Sequence, residues 1–230
     1  MDLKQGRVFD GVDFSRAVLT DALAGDGEPY LFKNCDFTEA ELWGASLAGA
    51  RFESCVLEQT DFRRADLDGA TFAGGGGLRT RFTDADLIDA AFTDVDLSAA
   101  TFGGAVLTDV SFEGCRMIGT VLTGSRGTGF SVRRSNLTLA NLGGCSLRGQ
   151  EIQGVRFDDA DLSGCDFTQA TLTDCRLIGT KILRTIFTKA DLRGADLGHP
   201  DDDKLRALSG AVISQTQAAQ ILAGRGITVV

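Results

Sequence analysis

The chain of 230 residues has one histidine, one tryptophan, one tyrosine and two prolines. His199 stands before Pro200, where the repetitive part of the sequence ends. It reads as an exposed turn residue and not as a general base. No serine or cysteine has an adjacent base in sequence to activate it, so no nucleophilic set is visible and no enzyme is expected. The six cysteines are spaced unlike zinc ligands, which leaves no metal or cofactor to expect. The run "AGGGG" lacks the Lys-Ser/Thr and helix that make a phosphate loop. No stretch approaches the 18 or so consecutive apolar residues of a membrane span. The opening "MDLKQGRVFDG" has no apolar run of the signal-peptide kind, and the expectation is a soluble cytoplasmic protein. Positive charge is scarce as well: 23 Lys and Arg face 32 Asp and Glu, a net charge of -9. Such a chain is repelled by DNA and by anionic membranes and attracted to basic surfaces.

What is present is a repeat. Leu87, Phe92, Leu97 and Phe102 recur every fifth residue, a period that fits neither an amphipathic helix nor a half-buried strand. The series 32, 37, 42 to 197 has 34 members, of which 32 are apolar, and Gly77 and Gly127 are the exceptions. Two residues before each lies a second series, 30, 35, 40 to 195. Apart from Tyr30, Phe130 and Gln150 it contains Ala, Cys, Thr, Ser, Val or Gly. Large and small groups therefore alternate inward, and polar residues fill the rest. One repeat cannot bury its apolar side chain alone, whereas stacked repeats bury a continuous column.

The unit A(D/N)LXX, as in "ADLDG", "ADLSG", "ANLGG" and "ADLRG", resembles the pentapeptide-repeat family over roughly residues 7 to 199. The resemblance implies an all-β solenoid, a right-handed quadrilateral β-helix with four repeats per coil, closed by a short C-terminal helix. All six cysteines (35, 55, 115, 145, 165 and 175) fall in the small inward slot and serve as small core residues. Cys35 and Cys55 lie one coil apart, as do Cys145 and Cys165. A bridge is conceivable for each pair, against the reducing bias of the cytosol.

Phe9, Phe14 and Leu19 keep period five in another phase, and the step of 13 residues to Phe32 predicts a loop near 24–30. "AGGGGLRT" (73–80) and "TGSRGTGFSVRRS" (123–135) lose the pattern and keep the phase, so each is a loop or a poor coil; a loop is favoured at 123–135. After the solenoid, residues 200–230 form a cap. "HPDDDKLRALSG" reads as a short helix, "GAVIS" as a last half-coil, and Ser214 with Gln217 as the capping box of a second helix. "ITVV" reads as a terminal strand.

Charge is uneven along the column. Between Thr83 and Cys115 stand Asp84, Asp86, Asp89, Asp94, Asp96, Asp109 and Glu113 with no Lys or Arg; between Arg116 and Gln150 stand five arginines and no acid. On a 20-residue coil Asp89 and Asp109 share a face. Asp66, Asp68 and Asp86 join them if 73–80 adds no register shift. A solvated face that keeps the solenoid soluble has the same composition.

Within the family, "LTLANLGGCSLRG" (137–149) and "GAVISQTQAAQILAGRGITVV" are most similar to the quinolone-resistance group, the Qnr-like and MfpA-like proteins. The resemblance implies a homodimer joined through the C-terminus, with Ala218, Ile221, Leu222 and Val229 on its apolar side; a monomeric cap is the alternative. It further implies a DNA mimic that occupies the DNA-binding saddle of bacterial gyrase or topoisomerase IV, without binding nucleic acid itself. Such a protein inhibits the enzyme or shields it from fluoroquinolones or a natural toxin. Asp84 to Glu113 are the foremost mimic candidates, and Asp158, Asp159, Asp161 and Asp174 lie nearer the dimer centre. Projecting loops contribute in that group. The implied counterparts here are Arg126, Arg133 and Arg134, for which a solvated loop is the alternative. A repeat scaffold for some other protein partner has the same features.

Overall fold

The computed structural model describes residues 6–20, 22–23 and 28–229. Each inward Leu or Phe is followed by a two-residue corner. The second corner residue sits at positive φ, as at Asp84 (58°), Asp89 (55°) and Asp109 (56°). That region costs most L-residues free energy, and Gly, Asn and Asp bear it best. Four corners close one coil in 20 residues and return the chain one rung further along.

The ten strands of the first face stack in chain order into one parallel sheet. They are β1 (Val8–Asp10), β2 (Leu31–Lys33), β3 (Arg51–Glu53), β4 (Thr71–Ala73), β5 (Ala91–Thr93), β6 (Ser111–Glu113), β7 (Ser131–Arg133), β8 (Glu151–Gln153), β9 (Thr171–Arg176) and β10 (Asp191–Asp196). Register is 20 residues per rung, as in Phe52↔Phe72↔Phe92. The other three faces hold the same register through single bridges such as Asp66↔Asp86, Asp61↔Arg81 and Asp96↔Arg116. The fold is thus a parallel β-solenoid. Its core is an unbroken column of phenylalanines from Phe9 to Phe112, followed by Leu, Ile and Val with a second, shorter group at Phe157, Phe167 and Phe187.

The first coil is three residues longer, because Phe9 pairs with Phe32. The fully buried Leu23 fills its fourth side. Of the loop expected near 24–30, residues 24–27 lie outside the described residues, and Tyr30 is buried against Phe9 and Phe32.

The segments 73–80 and 123–135 do not project. Gly76 bridges Val56 on one side and Asp96 on the other, so the register passes through unshifted. The side chain missing at Gly77 is compensated by Leu97, whose Cδ2 lies 3.4 Å from where a Cβ would stand, and by the Thr80 hydroxyl at 2.8 Å. In the second segment Arg126 bridges Val106, and Ser131–Arg133 is β7. Gly127 turns outward, and Phe130 is buried in a slot that elsewhere holds a small residue. The three large residues of the small series, Tyr30, Phe130 and Gln150, all fall at the same corner of the coil, since they differ by multiples of 20.

Past β10 come α1 (Asp202–Ala207) and α2 (Gln215–Ala223). Between them Val212 adds a last bridge to Asp191. Residues 227–229 form no strand. Ile227 instead folds its amide back onto the Leu222 carbonyl at the end of α2 (3.0 Å). The capping box is present, and its Gln217 does more than cap. Its Oε1 accepts from the Ser214 amide, while Nε2 donates to the carbonyls of Leu192 and Ala195, each at 2.7 Å. A further coil would have satisfied those carbonyls, and a buried side-chain amide takes its place.

Candidate functional site

The core carries the first question, because six thiols line it. All six are free and buried. Burial pushes Cys55 and Cys165 up to about 12, and Cys115 and Cys175 to about 11. They are neither thiolates nor nucleophiles at neutral pH. Their role appears when they are set beside the slot threonines. Thr60, Thr120 and Thr185 donate to the carbonyls of Phe37, Leu97 and Leu162, 23 residues earlier, each at 2.8 Å. Cys55, Cys115 and Cys165 donate to Phe32, Phe92 and Leu142 at 3.4, 3.4 and 3.1 Å with the same spacing. Cys and Thr alternate in the slot because both are small and both carry a donor for an inward carbonyl.

The outer surface carries the second. The coil distributes the seven acids of 83–115 over different faces. Asp86, Asp89 and Asp109 share the fourth face with Asp66 and Asp68, and Asp84 stands at the corner where that face begins. Asp94 lies at the corner after the first face. Asp96 is on the second face, 3.9 Å from Arg116, with an oxygen accepting from the Ser98 amide and hydroxyl. Glu113 is on the first face and paired with Arg134. Asp158 is nearly buried between Arg156 and Arg176, at 3.5 and 3.4 Å.

Local structure explains why these positions are Asp at all. Asp66 and Asp86 accept the amides of Asp68 and Ile88 two residues on, each at 3.2 Å, turns that the side chain builds for itself. Asp84, Asp89 and Asp109 occupy positive-φ corners. What local structure does not explain is the missing counter-charge. Among the described residues, none of Asp66, Asp68, Asp84, Asp86, Asp89 and Asp109 has a Lys or Arg nitrogen within 4.0 Å; other acids, among them Asp36, Asp94 and Asp174, share that lack, and what sets the six apart is that they stand together on three successive rungs. The six span three rungs, about 10 Å of axis at ~4.8 Å per rung. B-DNA places about six phosphate charges in the same length.

The three arginines of 123–135 lie on the solenoid wall. Arg126 closes the acidic face one rung beyond Val106 and donates to the Gly104 carbonyl at 2.9 Å. Arg133 faces Glu151 at 3.6 Å, and Arg134 holds Glu113. At the C-terminal end, Ala218, Ile221 and Leu222 of α2 are half-buried, while Ile227 and Val229 are 50% and 52% exposed. A groove beside them is lined by Thr216, Ala219, Gln220 and Ala223. Among the described residues no group of three or more His, Cys, Asp or Glu is placed to hold a metal ion. Among the described residues no helix is long and apolar enough to cross a membrane.

Two family models match: a pentapeptide repeat region over 30–102 and 45–122, and pentapeptide repeats (8 copies) over 133–169 and 170–199. Among solved structures, a trypsin-treated variant of QnrB1, a plasmid-mediated fluoroquinolone resistance protein, aligns with a TM-score of 0.65 at 23% identity, covering 97% of both chains. Full-length QnrB1 aligns at 0.44 with 21% identity over 96% of this chain and 97% of that one. HetL, a pentapeptide repeat protein involved in heterocyst differentiation regulation from Nostoc sp. strain PCC 7120, aligns at 0.39 with 20% identity, covering 82% and 86%. The 0.65 alignment shows a shared fold. No curated protein matches the chain.

Proposed function

This chain belongs to the pentapeptide-repeat family, and on that premise we propose that it is a protein-binding rod whose fourth face mimics a short stretch of DNA. The partner is the DNA-binding saddle of a bacterial type II topoisomerase, gyrase or topoisomerase IV. The observation that carries the reading is the set of six carboxylates without a counter-ion. Ordinary solvated faces intersperse the two signs, as the rest of this surface does. A basic saddle that normally takes up phosphates gains the same Coulomb attraction from a face of similar charge density, and steers it in. The choice of a topoisomerase over another basic surface rests on the resemblance of 137–149 and of the C-terminal segment to the quinolone-resistance group. Bound there, the rod excludes DNA, and its consequence for the enzyme is inhibition or protection from a drug or toxin.

The test is a supercoiling assay with bacterial gyrase, with and without a fluoroquinolone, beside a relaxation assay with topoisomerase IV. The chain is expected to inhibit supercoiling or to restore it against the drug, with binding that weakens as salt rises. The combined reversal Asp86→Lys, Asp89→Lys and Asp109→Lys is expected to weaken binding about 10- to 100-fold. No effect on either enzyme sinks the topoisomerase reading. The alternative, a scaffold for another basic partner, then stands on the same face.

We also propose that two rods join through their C-terminal ends. The support is apolar surface left uncovered at α2 and the tail. Sedimentation equilibrium is expected to give the mass of two chains for the native sequence and of one for Ile227→Glu with Val229→Glu. One chain in both cases rejects the dimer.

A further inference from the structure

The single tryptophan of the chain is on the surface, beside an arginine. Trp43 is 46% exposed on the third face, with the Arg64 guanidinium 5.8 Å from its ring centroid. On the same rung as Arg64, Asp61 is nearly buried and holds two more guanidiniums. Arg63 forks it through Nε at 2.9 Å and Nη2 at 2.7 Å, and Arg81 reaches it from the next rung at 3.2 Å. Asp61 also accepts the Arg63 amide. The pull of its arginines outweighs burial and keeps its carboxyl below the usual range, so it stays ionised. The outer edges of Arg63 and Arg81 remain half exposed. Arg79 stands at the corner just before Arg81. Against these four arginines the face sets Asp61 and, one rung earlier, Glu41, and its two corners set Glu39, Glu58 and Asp84.

We infer that this third-face patch is a docking site for an acidic peptide segment carrying an apolar or aromatic side chain. Its carboxylates meet the outward N–H groups of Arg63 and Arg81, and its apolar side chain lies on Trp43. A guanidinium fork suits carboxylate and phosphate alike. The surroundings decide between them. The acidic fourth face begins at the corner where Arg64 and Asp84 stand on successive rungs, and continues with Asp66 and Asp86. It repels a nucleic-acid backbone, whose charges are continuous, and leaves room for a peptide that places only a few. Acids two apart in an extended peptide are about 7 Å apart, within reach of arginines on successive rungs. Anchored guanidiniums also lose less side-chain freedom on binding than free ones do. This contact is opposite in sign to the one proposed for the fourth face.

Trp43 supplies the readout, since its emission reports on this patch alone. Titrating the full chain with a synthetic peptide of alternating glutamate and phenylalanine is expected to give a saturable change in tryptophan emission. Arg63→Gln with Arg81→Gln is expected to weaken it tenfold or more. Arg63→Lys with Arg81→Lys keeps a charge on Asp61 and loses the forks, and is expected to weaken it several-fold while the chain stays folded by circular dichroism. The reversal at Asp86, Asp89 and Asp109 is expected to keep or tighten the peptide titration while it weakens topoisomerase binding, which separates this site from the topoisomerase reading. No emission change, equal affinity in the folded lysine variant, or tighter binding of a single-stranded oligonucleotide of equal charge overturns the inference.

Discussion

Phe72→Ala is expected to destabilise the chain by about 3–5 kcal/mol and to lower the melting temperature by about 10 °C. Its ring lies between Phe52 and Phe92 with centroids 4.7 and 4.6 Å away and planes 3° apart. Phe62 and Phe82 meet it edge-on. Removing it deletes apolar burial and four aromatic contacts, and leaves a hole walled by side chains that their own rungs hold in place. A solenoid has no contacts that bypass the damaged rung, so the loss falls on the coupling between its two halves. Thermal unfolding followed by circular dichroism checks the size of the effect. A cost below about 1 kcal/mol would mean that the column collapses around the gap, against the rigid stacking argued here.

Gly75→Ala is expected to cost about 3 kcal/mol or more, though the residue is exposed. Gly75 has φ +82°, and an added methyl group would run into the Cys55 carbonyl and come within 2.9 Å of the Cys55 amide nitrogen. Both belong to the backbone of the rung above and cannot move without breaking the ladder. Gly69→Ala supplies the comparison. It has φ +62° with nothing within 4 Å of the new methyl, so it carries the conformational cost alone, about 1–2 kcal/mol. Equal denaturant midpoints for the two variants would remove the steric part of the argument.

These residues also show what a linear reading finds and what it misses. The period-five column, the 20-residue register and the Ser214–Gln217 box are local or strictly periodic, and they follow from spacing alone. So does the pairing of Asp89 with Asp109, whereas Asp66, Asp68 and Asp86 join them only because 73–80 adds no register shift, which the bridges of Gly76 reveal. The expected loop at 123–135 fails because the compensation is not local. The pattern marks Gly127 and Phe130 as two exceptions of size and does not tell that Arg126 keeps its bridge to Val106 while the large Phe130 stays buried in the small inward slot. The acids of 83–115 are contiguous in sequence, yet a coil sends neighbours five apart to different sides, so Asp96 and Glu113 meet arginines from the next rung. The bonds from Thr and Cys to carbonyls 23 residues back, and the clamp of Asp61 on Arg63 and Arg81, need two rungs at once. No single repeat encodes either.

The coil uses two clocks, and they can be set separately. Burial counts in fives, whereas the outer surface counts in twenties. A five-residue insertion leaves every apolar side chain pointing inward and moves all that follows a quarter turn around the rod. An insertion of 20 lengthens it with no rotation. The acidic face of residues 66–109 and the C-terminal end of the rod are therefore joined by an adjustable angle. Single-repeat insertions and deletions between them re-aim one relative to the other while the hydrophobic column stays in phase. The geometry lets surface specificity diverge by small indels that a globular core would not tolerate.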